Sequence, residues 1–348
     1  MLTFSGVDVE YSLVAGTGMR VSQLALGTAV FGLAPTPDGC DALVHAALDA
    51  GINTFDCANT YGNRPSFDRS GLPTADQRPH AEELLGRALK GRRDEVVLCT
   101  KVSEPMGPGP NDGGLVIPGL GGHGGGLSRF HIMREVERSL RRLDTDHIDI
   151  YHFHHPDPDT AIDETLRAVD DLIHQGKVRY GGLSTFNGWQ TAQAVLTAEK
   201  LGLSRPVLNQ VPYSLVQRWP EAEVAPAAAA LGLSLTCFSP LAGGALAGRK
   251  AADRPYRGLK RWGLPFDYFP AQRQAAESLE QLAEQWGHAP AHLALAWLLS
   301  RAPVAAAIIG PETPEELAQN LGVFELTLDD AQLAEIDAIG RPDPVLPL

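Results

Sequence analysis

The chain has 348 residues, 44% of them hydrophobic, enough apolar mass to fill a complete core. Its 29 basic and 42 acidic side chains leave a formal charge of −13, which argues against nucleic acid or an anionic membrane surface as a partner. No run approaches the roughly 18 uninterrupted apolar residues of a membrane span, and Met1-Leu2-Thr3-Phe4-Ser5 opens neither a basic start nor an apolar stretch, so no signal peptide is expected.

Taken in chain order, short β-branched runs alternate with longer helical patterns. Strand-like runs fall at residues 24–28, 52–55, 96–101, 148–154, 178–184, 207–211, 233–239 and 305–309. Helical periodicity falls between or after them at 41–50, 82–90, 132–143, 161–175, 189–201, 221–231, 272–286 and 314–321. Eight strands, each followed by a helix, predict one (β/α)8 TIM barrel over residues 1–348 rather than an open doubly wound sheet. Two connections exceed ordinary turns: 62–79, rich in Pro, Gly and Asp, and 106–128, with ten glycines. Loops of that length are expected to lie over the C-terminal mouth as lids. A third irregular stretch, 249–269, carries Arg254, Arg257, Lys260 and Arg261. The four cysteines, Cys40, Cys57, Cys99 and Cys237, form no Cys-x-x-Cys pair, which fits a reduced, cytoplasmic protein without disulfides.

Chemistry concentrates at three successive strand ends. Asp56 and Tyr61 follow the run 52–55, Lys101 ends 96–101, and His154 ends 148–154. A free tyrosine holds its proton to about pH 10. A neighbouring ammonium favours the phenolate, and a carboxylate keeps that ammonium charged and placed. The four together make an apparatus for moving a proton to or from a carbonyl oxygen. His152-Phe153-His154-His155 also raises a metal reading, because His-x-His sets two imidazoles on one face of a strand. No second His/Asp/Glu cluster supplies further ligands, so no metal is expected, with His152 packed inside the barrel and His155 at the mouth. Gly119-Leu120-Gly121-Gly122-His123-Gly124 spells Gly-x-Gly-x-x-Gly, but it lacks the flanking strand and helix of a dinucleotide fingerprint.

These residues resemble the aldo-keto reductase superfamily along nearly the whole chain. Tyr11-Ser12-Leu13, Gly18 to Ser22 and Leu26-Gly27-Thr28 resemble its N-terminal β-hairpin and first strand. Asp56 to Tyr61-Gly62 with Glu83-Leu84-Leu85-Gly86 resembles its second signature, and Lys101 in Thr-Lys-Val and His154 in His-Phe-His-His-Pro-Asp complete a tetrad. Gly182-Leu183-Ser184, Asn209-Gln210-Val211-Pro212-Tyr213, Ser239 to Gly244 and Ile308-Ile309-Gly310 with Asn320 fall where that family handles a nicotinamide cofactor. The resemblance implies reversible hydride transfer between the nicotinamide and a small carbonyl or alcohol, with Tyr61 as general acid or base; the polar loop residues and a wide mouth point to a hydroxylated substrate such as a sugar. Lys101 and Asp56 would tune the phenol and His154 would orient the carbonyl. It further implies that Ser184 and Gln210 hold the carboxamide, that Tyr213 stacks on the ring, and that Ser239, Pro240, Leu241 and Gly243 wrap the pyrophosphate. Thr28 and Asp56 complete the cofactor contacts. Thr185 stands where the family usually has Asn, and its hydroxyl is expected to replace one of the amide's hydrogen bonds.

At the adenosine end, Gly310, Glu312, Glu316 and Asn320 are the expected contacts, with Arg249 able to fold over. Glu312 and Glu316 are carboxylates where a 2′-phosphate would want a cation, and that disfavours NADP(H). Family frequency keeps NADP(H) narrowly ahead of NAD(H). The alternative function is a cofactor-binding, redox-sensing regulatory subunit with little turnover.

Overall fold

A computed structural model describes residues 8–64, 68, 71–104, 126–248 and 270–340. The chain enters through an antiparallel hairpin, β1 (Tyr11–Leu13) and β2 (Arg20–Ser22). Eight parallel strands then close a barrel: β3 (Leu24–Gly27), β4 (Thr54–Asp56), β5 (Val97–Val102), β6 (Ile148–Phe153), β7 (Val178–Ser184), β8 (Leu208–Pro212), β9 (Ser234–Phe238) and β10 (Val304–Ile309), the last pairing back onto β3. The helices are α1 (Pro37–Asp49), α2 (Ala81–Ala88), α3 (Arg129–Arg142), α4 (Ile162–His174), α5 (Gly188–Leu201), α6 (Val224–Leu231), α7 (Pro270–Trp286), α8 (Pro290–Leu299), α9 (Pro314–Leu321) and α10 (Asp330–Ile339). The eight barrel strands match those expected, shifted by a residue or two at their ends. Two helices, α8 and α10, go beyond the expected pattern.

Alternation along each strand separates two apolar populations. Ala25, Cys99, Ile150, Leu208, Ala306 and Ile308 form the interior cluster. Leu24, Leu26, Leu98, Tyr151, Phe153, Leu183 and Leu235 belong to the larger cluster that includes the surrounding helices. The wall between them is tight: a Cβ on Gly27 would lie 2.8 Å from Ile308 Cγ2 and 3.1 Å from the Ile309 carbonyl oxygen. The hairpin closes the N-terminal end of the barrel. Val14 and Val21 are buried in the interior cluster, the Ala15 amide donates to Ser234 Oγ at 2.9 Å, and Asn53 accepts from the Ser22 amide at 2.7 Å. All four cysteines are buried and free. Among the described residues no helix is long and apolar enough to cross a membrane.

Of the long connections, 105–125 and 249–269 lie outside the described residues, and so do the expectations placed on them. The described part of 62–79 is not a loose lid. Arg78, 5% exposed, donates to the carbonyls of Gly62, Arg64 and Pro73 at 2.6, 2.9 and 2.6 Å and pairs with Asp68 at 2.9 Å.

His152 sits on β6 opposite Lys101, and burial lowers its pKa to about 3. Burial likewise lowers His80, His131 and His154. A histidine kept neutral by the fold binds a proton only after unfolding, so the stability it gives is present above the unfolded pKa of about 6.5 and declines as pH falls below it. Between pH 7.5 and 5.5, His152 alone should cost about 1 kcal/mol of stability. Melting curves at the two pH values should show the decline, and His152→Leu should narrow the difference; an equal Tm at both pH values would contradict it.

Candidate active site

Parallel register sets the site. Asp56 ends β4 opposite Cys99, and Lys101 lies two residues further along the same face of β5. Lys101 is fully buried, with Nζ 2.6 Å from Asp56 Oδ2 and 2.7 Å from the Cys57 carbonyl oxygen. The other Asp56 oxygen accepts from Gln210 Nε2 at 2.7 Å. Thr28 donates twice to the Asp56 carbonyl, through its amide and its hydroxyl, each at 2.9 Å. Burial works against the charge on Lys101, but Asp56 and Tyr61 outweigh it and hold the ammonium above the usual lysine value.

Tyr61 reaches this pair from the turn after β4. Its amide donates to the Ala58 carbonyl at 3.1 Å, and Gly62, at φ +87°, leaves no room for a side chain, since a Cβ would sit 2.7 Å from the Ala81 nitrogen. Lys101 Nζ lies 4.7 Å from the centre of the Tyr61 ring, and His154 meets that ring edge-on at 5.7 Å. The structure thus brings together all four expected residues: Asp56, Tyr61, Lys101 and His154. Burial is the largest influence on the phenol and pushes it up to about 12, while Lys101 pulls the other way, toward the phenolate. His154 is 7% exposed, and burial holds it well below the usual histidine value.

A carboxylate that the sequence reading missed lies beside them. Glu104, three residues past Lys101 and 2% exposed, accepts from the Thr60 hydroxyl and the Arg64 guanidinium and faces His155 Nε2 at 3.1 Å. His154 Nδ1 is 3.9 Å from it. Burial opposes its charge, but His154, His155, Arg64 and Thr60 together hold the carboxyl well below its ordinary range. Glu104, His154 and His155 have ligand atoms within 4.8 Å of one another, yet the carboxylate's oxygens are committed to Thr60, Arg64 and His155. A lone glutamate outside any pattern gives a sequence reader no signal.

The cofactor-side residues divide. Ser184, the last residue of β7, stands in register beside Gln210 in the middle of β8. The loop after β9 takes left-handed backbone at Ser239, Ala242, Gly243 and Gly244, with Pro240 and Leu241 between, a concave run of the kind that cradles phosphate oxygens. Phe238, at the end of β9, is half-buried and packs on the interior cluster, which puts an aromatic ring at the mouth.

Tyr213 does not serve there. It is 2% exposed, its hydroxyl donates to Glu221 at 2.7 Å, and its ring meets Trp297 edge-on at 5.7 Å, because alternation past Gln210 turns it out of the barrel. The Thr185 hydroxyl is also committed, donating to the His154 carbonyl at 3.2 Å and meeting His155 Nδ1 at 3.1 Å. It braces the histidines rather than replacing the family's asparagine. At the far end, Gly310 is exposed after β10 and Asn320 is half-buried on the last turn of α9. Glu316 accepts the Glu312 amide at 2.9 Å, so it caps the start of α9. Arg249 lies outside the described residues.

The aldo/keto reductase family model matches residues 23–341. The chain belongs to that family. This aldo-keto reductase is 38% identical over 335 residues to an uncharacterized oxidoreductase, YrpG, of Bacillus subtilis (strain 168), covering 95% of this chain and 96% of that protein. It is 32% identical to a probable voltage-gated potassium channel subunit beta of Oryza sativa subsp. japonica, covering 97% and 98% of the two chains. It is 30% identical to the L-glyceraldehyde 3-phosphate reductase of Escherichia coli (strain K12), covering 95% and 92%. The chain is an oxidoreductase of a family that interconverts carbonyls and alcohols with nicotinamide cofactors, generally NADP(H).

Removing one member of a buried ion pair strands the other in a dry site, at about 3–5 kcal/mol. Lys101→Met should therefore destabilise the aldo-keto reductase by that order, and Asp56→Asn added to it should recover part of the loss. Denaturant unfolding of both variants checks this; a double variant no more stable than Lys101→Met would show that the charge on Asp56 is not what suffers.

Proposed function

We propose that this aldo-keto reductase interconverts a carbonyl and an alcohol, with Tyr61 as the group that exchanges the proton on oxygen. The observation that carries the reading is the cluster of buried Asp56, Lys101 and His154 around the half-buried Tyr61, one phenol against one ammonium. A bound nicotinamide cofactor supplies the hydride for carbonyl reduction and accepts it in the reverse direction. Ser184 and Gln210 would hold its carboxamide, Phe238 would face its ring, and Ser239 to Gly244 would take its pyrophosphate. The left-handed run at Ser239, Ala242, Gly243 and Gly244 fits such a group.

Tyr61, held up to about 12, keeps its proton at neutral pH and releases it only as negative charge builds on the substrate oxygen. Lys101 then steadies the phenolate that forms. His154, held neutral, orients the oxygen through a hydrogen bond and does not compete as an acid. Beside His155 a cavity of about 860 Å³ opens between Pro156, Ile162, Phe186 and Trp189, with room for the non-reacting end of a substrate. The relative named for glyceraldehyde 3-phosphate supports a hydroxylated aldehyde or sugar as the substrate class. Buried, free cysteines fit a reducing, cytoplasmic setting.

Tyr61→Phe removes only the phenolic oxygen and should lower carbonyl reduction by about 10²–10⁴-fold while cofactor affinity stays near normal. The assay is cofactor oxidation across a panel of aldehydes, ketones and sugars; turnover by Tyr61→Phe close to wild type would sink the reading.

For the cofactor we propose NADP(H), ahead of NAD(H) on the family's general usage. Two acidic residues stand at that end, Glu312 and Glu316, and Glu312 comes first after Gly310-Pro311, where the family's phosphate contact is expected. A like charge about 4 Å from a phosphate costs on the order of 4 kcal/mol near a surface. Glu312→Arg should strengthen NADPH binding at least tenfold relative to NADH by fluorescence titration. An unchanged ratio would remove Glu312 from the 2′ position.

The second reading, a redox-sensing subunit, is favoured by the relatives named as potassium channel subunits. Single-turnover hydride transfer much faster than steady-state turnover would support it.

A further inference from the structure

We propose that Glu104 is a positioning residue that locks the Tyr61 loop to the His154–His155 pair and so fixes how His154 meets the substrate oxygen. The inference rests on the reading of Tyr61 and His154 as the reaction centre. Its basis is which neighbours Glu104 holds. Thr60 immediately precedes Tyr61, and Arg64 lies three residues beyond it; both donate to the Glu104 carboxylate. His155 immediately follows His154, and its Nε2 lies 3.1 Å from the same carboxylate. One buried carboxylate therefore spans both segments that carry the reacting side chains.

The grip extends to the ring of His154. His155 stacks on it with 4.6 Å between centroids and 8° between planes. Because an ionised carboxylate only accepts, His155 must present its Nε2 proton to Glu104. Nδ1 of His155 lies 3.1 Å from the Thr185 hydroxyl, whose one proton serves either that nitrogen or the His154 backbone carbonyl 3.2 Å away. The bond to Glu104 and the stacking set the plane of His155, and with it the plane of His154. His154 itself has no hydrogen-bond partner at Nδ1, so stacking and the edge of Tyr61 orient it rather than a direct bond. Reaction centres lose up to about 10²-fold in rate for displacements near 1 Å, which sets the scale of the effect.

Glu104 also contributes charge. The groups facing Tyr61 are Lys101, Asp56, Glu104 and His154; those facing Glu104 are Thr60, Arg64, His154 and His155. A negative charge at Glu104 opposes ionisation of the phenol, so neutralising it eases that ionisation.

The test uses Glu104→Gln in the full chain, with the best aldehyde of the panel above and kinetics followed from neutral to strongly alkaline pH. The expected result is a 10- to 100-fold fall in kcat, cofactor affinity within twofold of wild type, and an alkaline limb of kcat/KM moved to lower pH. A kcat within twofold of wild type overturns the proposal. So does a loss that tracks a lower Tm with the alkaline limb unmoved, because that is the signature of a merely structural carboxylate. If Glu104→Gln does not fold, Thr60→Val keeps the charge and removes one of the two bonds that tie the Tyr61 loop to Glu104, the Arg64 pair remaining. It should lower kcat 3- to 10-fold, and an unchanged kcat overturns the proposal. Should Tyr61→Phe remain active, the reaction-centre reading itself fails, whatever Glu104→Gln does. An inactive Tyr61→Phe beside a wild-type Glu104→Gln removes this inference alone.

Discussion

The buried ion pair between Asp56 and Lys101 is the constraint on which the rest of the site depends. Two charges taken out of water cost several kcal/mol each, and proximity alone repays this only when the remaining hydrogen-bonding capacity is also met. Here it is met by Gln210 of β8 on the second Asp56 oxygen and by the Cys57 carbonyl on Lys101, while Thr28, just past β3, holds the Asp56 backbone. Each of those residues is thereby fixed in place. The barrel's closure makes such convergence possible, since inward-facing groups from β4, β5 and β8 meet only when the sheet wraps around.

Around that pair the structure separates roles by environment. Burial keeps Tyr61 protonated and His154 neutral, yet leaves Glu104 and Lys101 charged because each has partners of opposite sign or strong donors. On the proposed mechanism, that difference is what assigns the proton transfer to Tyr61. Specialisation of that kind needs no special residue types. It follows from which polar atoms each side chain touches.

Much of this was legible in the sequence. The eight strands were visible because β-branched runs a few residues long are bounded by turn chemistry, and the tetrad because four reactive types sit at consecutive strand ends. What escaped did so for physical reasons. The helix Pro290–Leu299 is apolar nearly all round, with Leu293, Ala294, Leu295, Trp297 and Leu298 buried, so it carries no amphipathic period. Tyr213 was misplaced because its direction depends on strand register, which a linear motif does not encode; Phe238 on the next strand faces inward instead. Glu104 and Arg64 are 40 residues apart, and only folding makes them a pair. Thr185 looked like a weakened amide, whereas its hydroxyl belongs to the histidines.

The hairpin at the base of the barrel leaves the molecule with two unlike ends. With Val14 and Val21 packed into the interior cluster and Ala15 bonded to Ser234, the barrel is a filled core rather than a passage, and the polar groups of Asp56, Lys101, Ser184 and Gln210 look one way only. One end therefore carries stability and the other carries chemistry, so the loops on the chemical side can diverge without disturbing the closure beneath them.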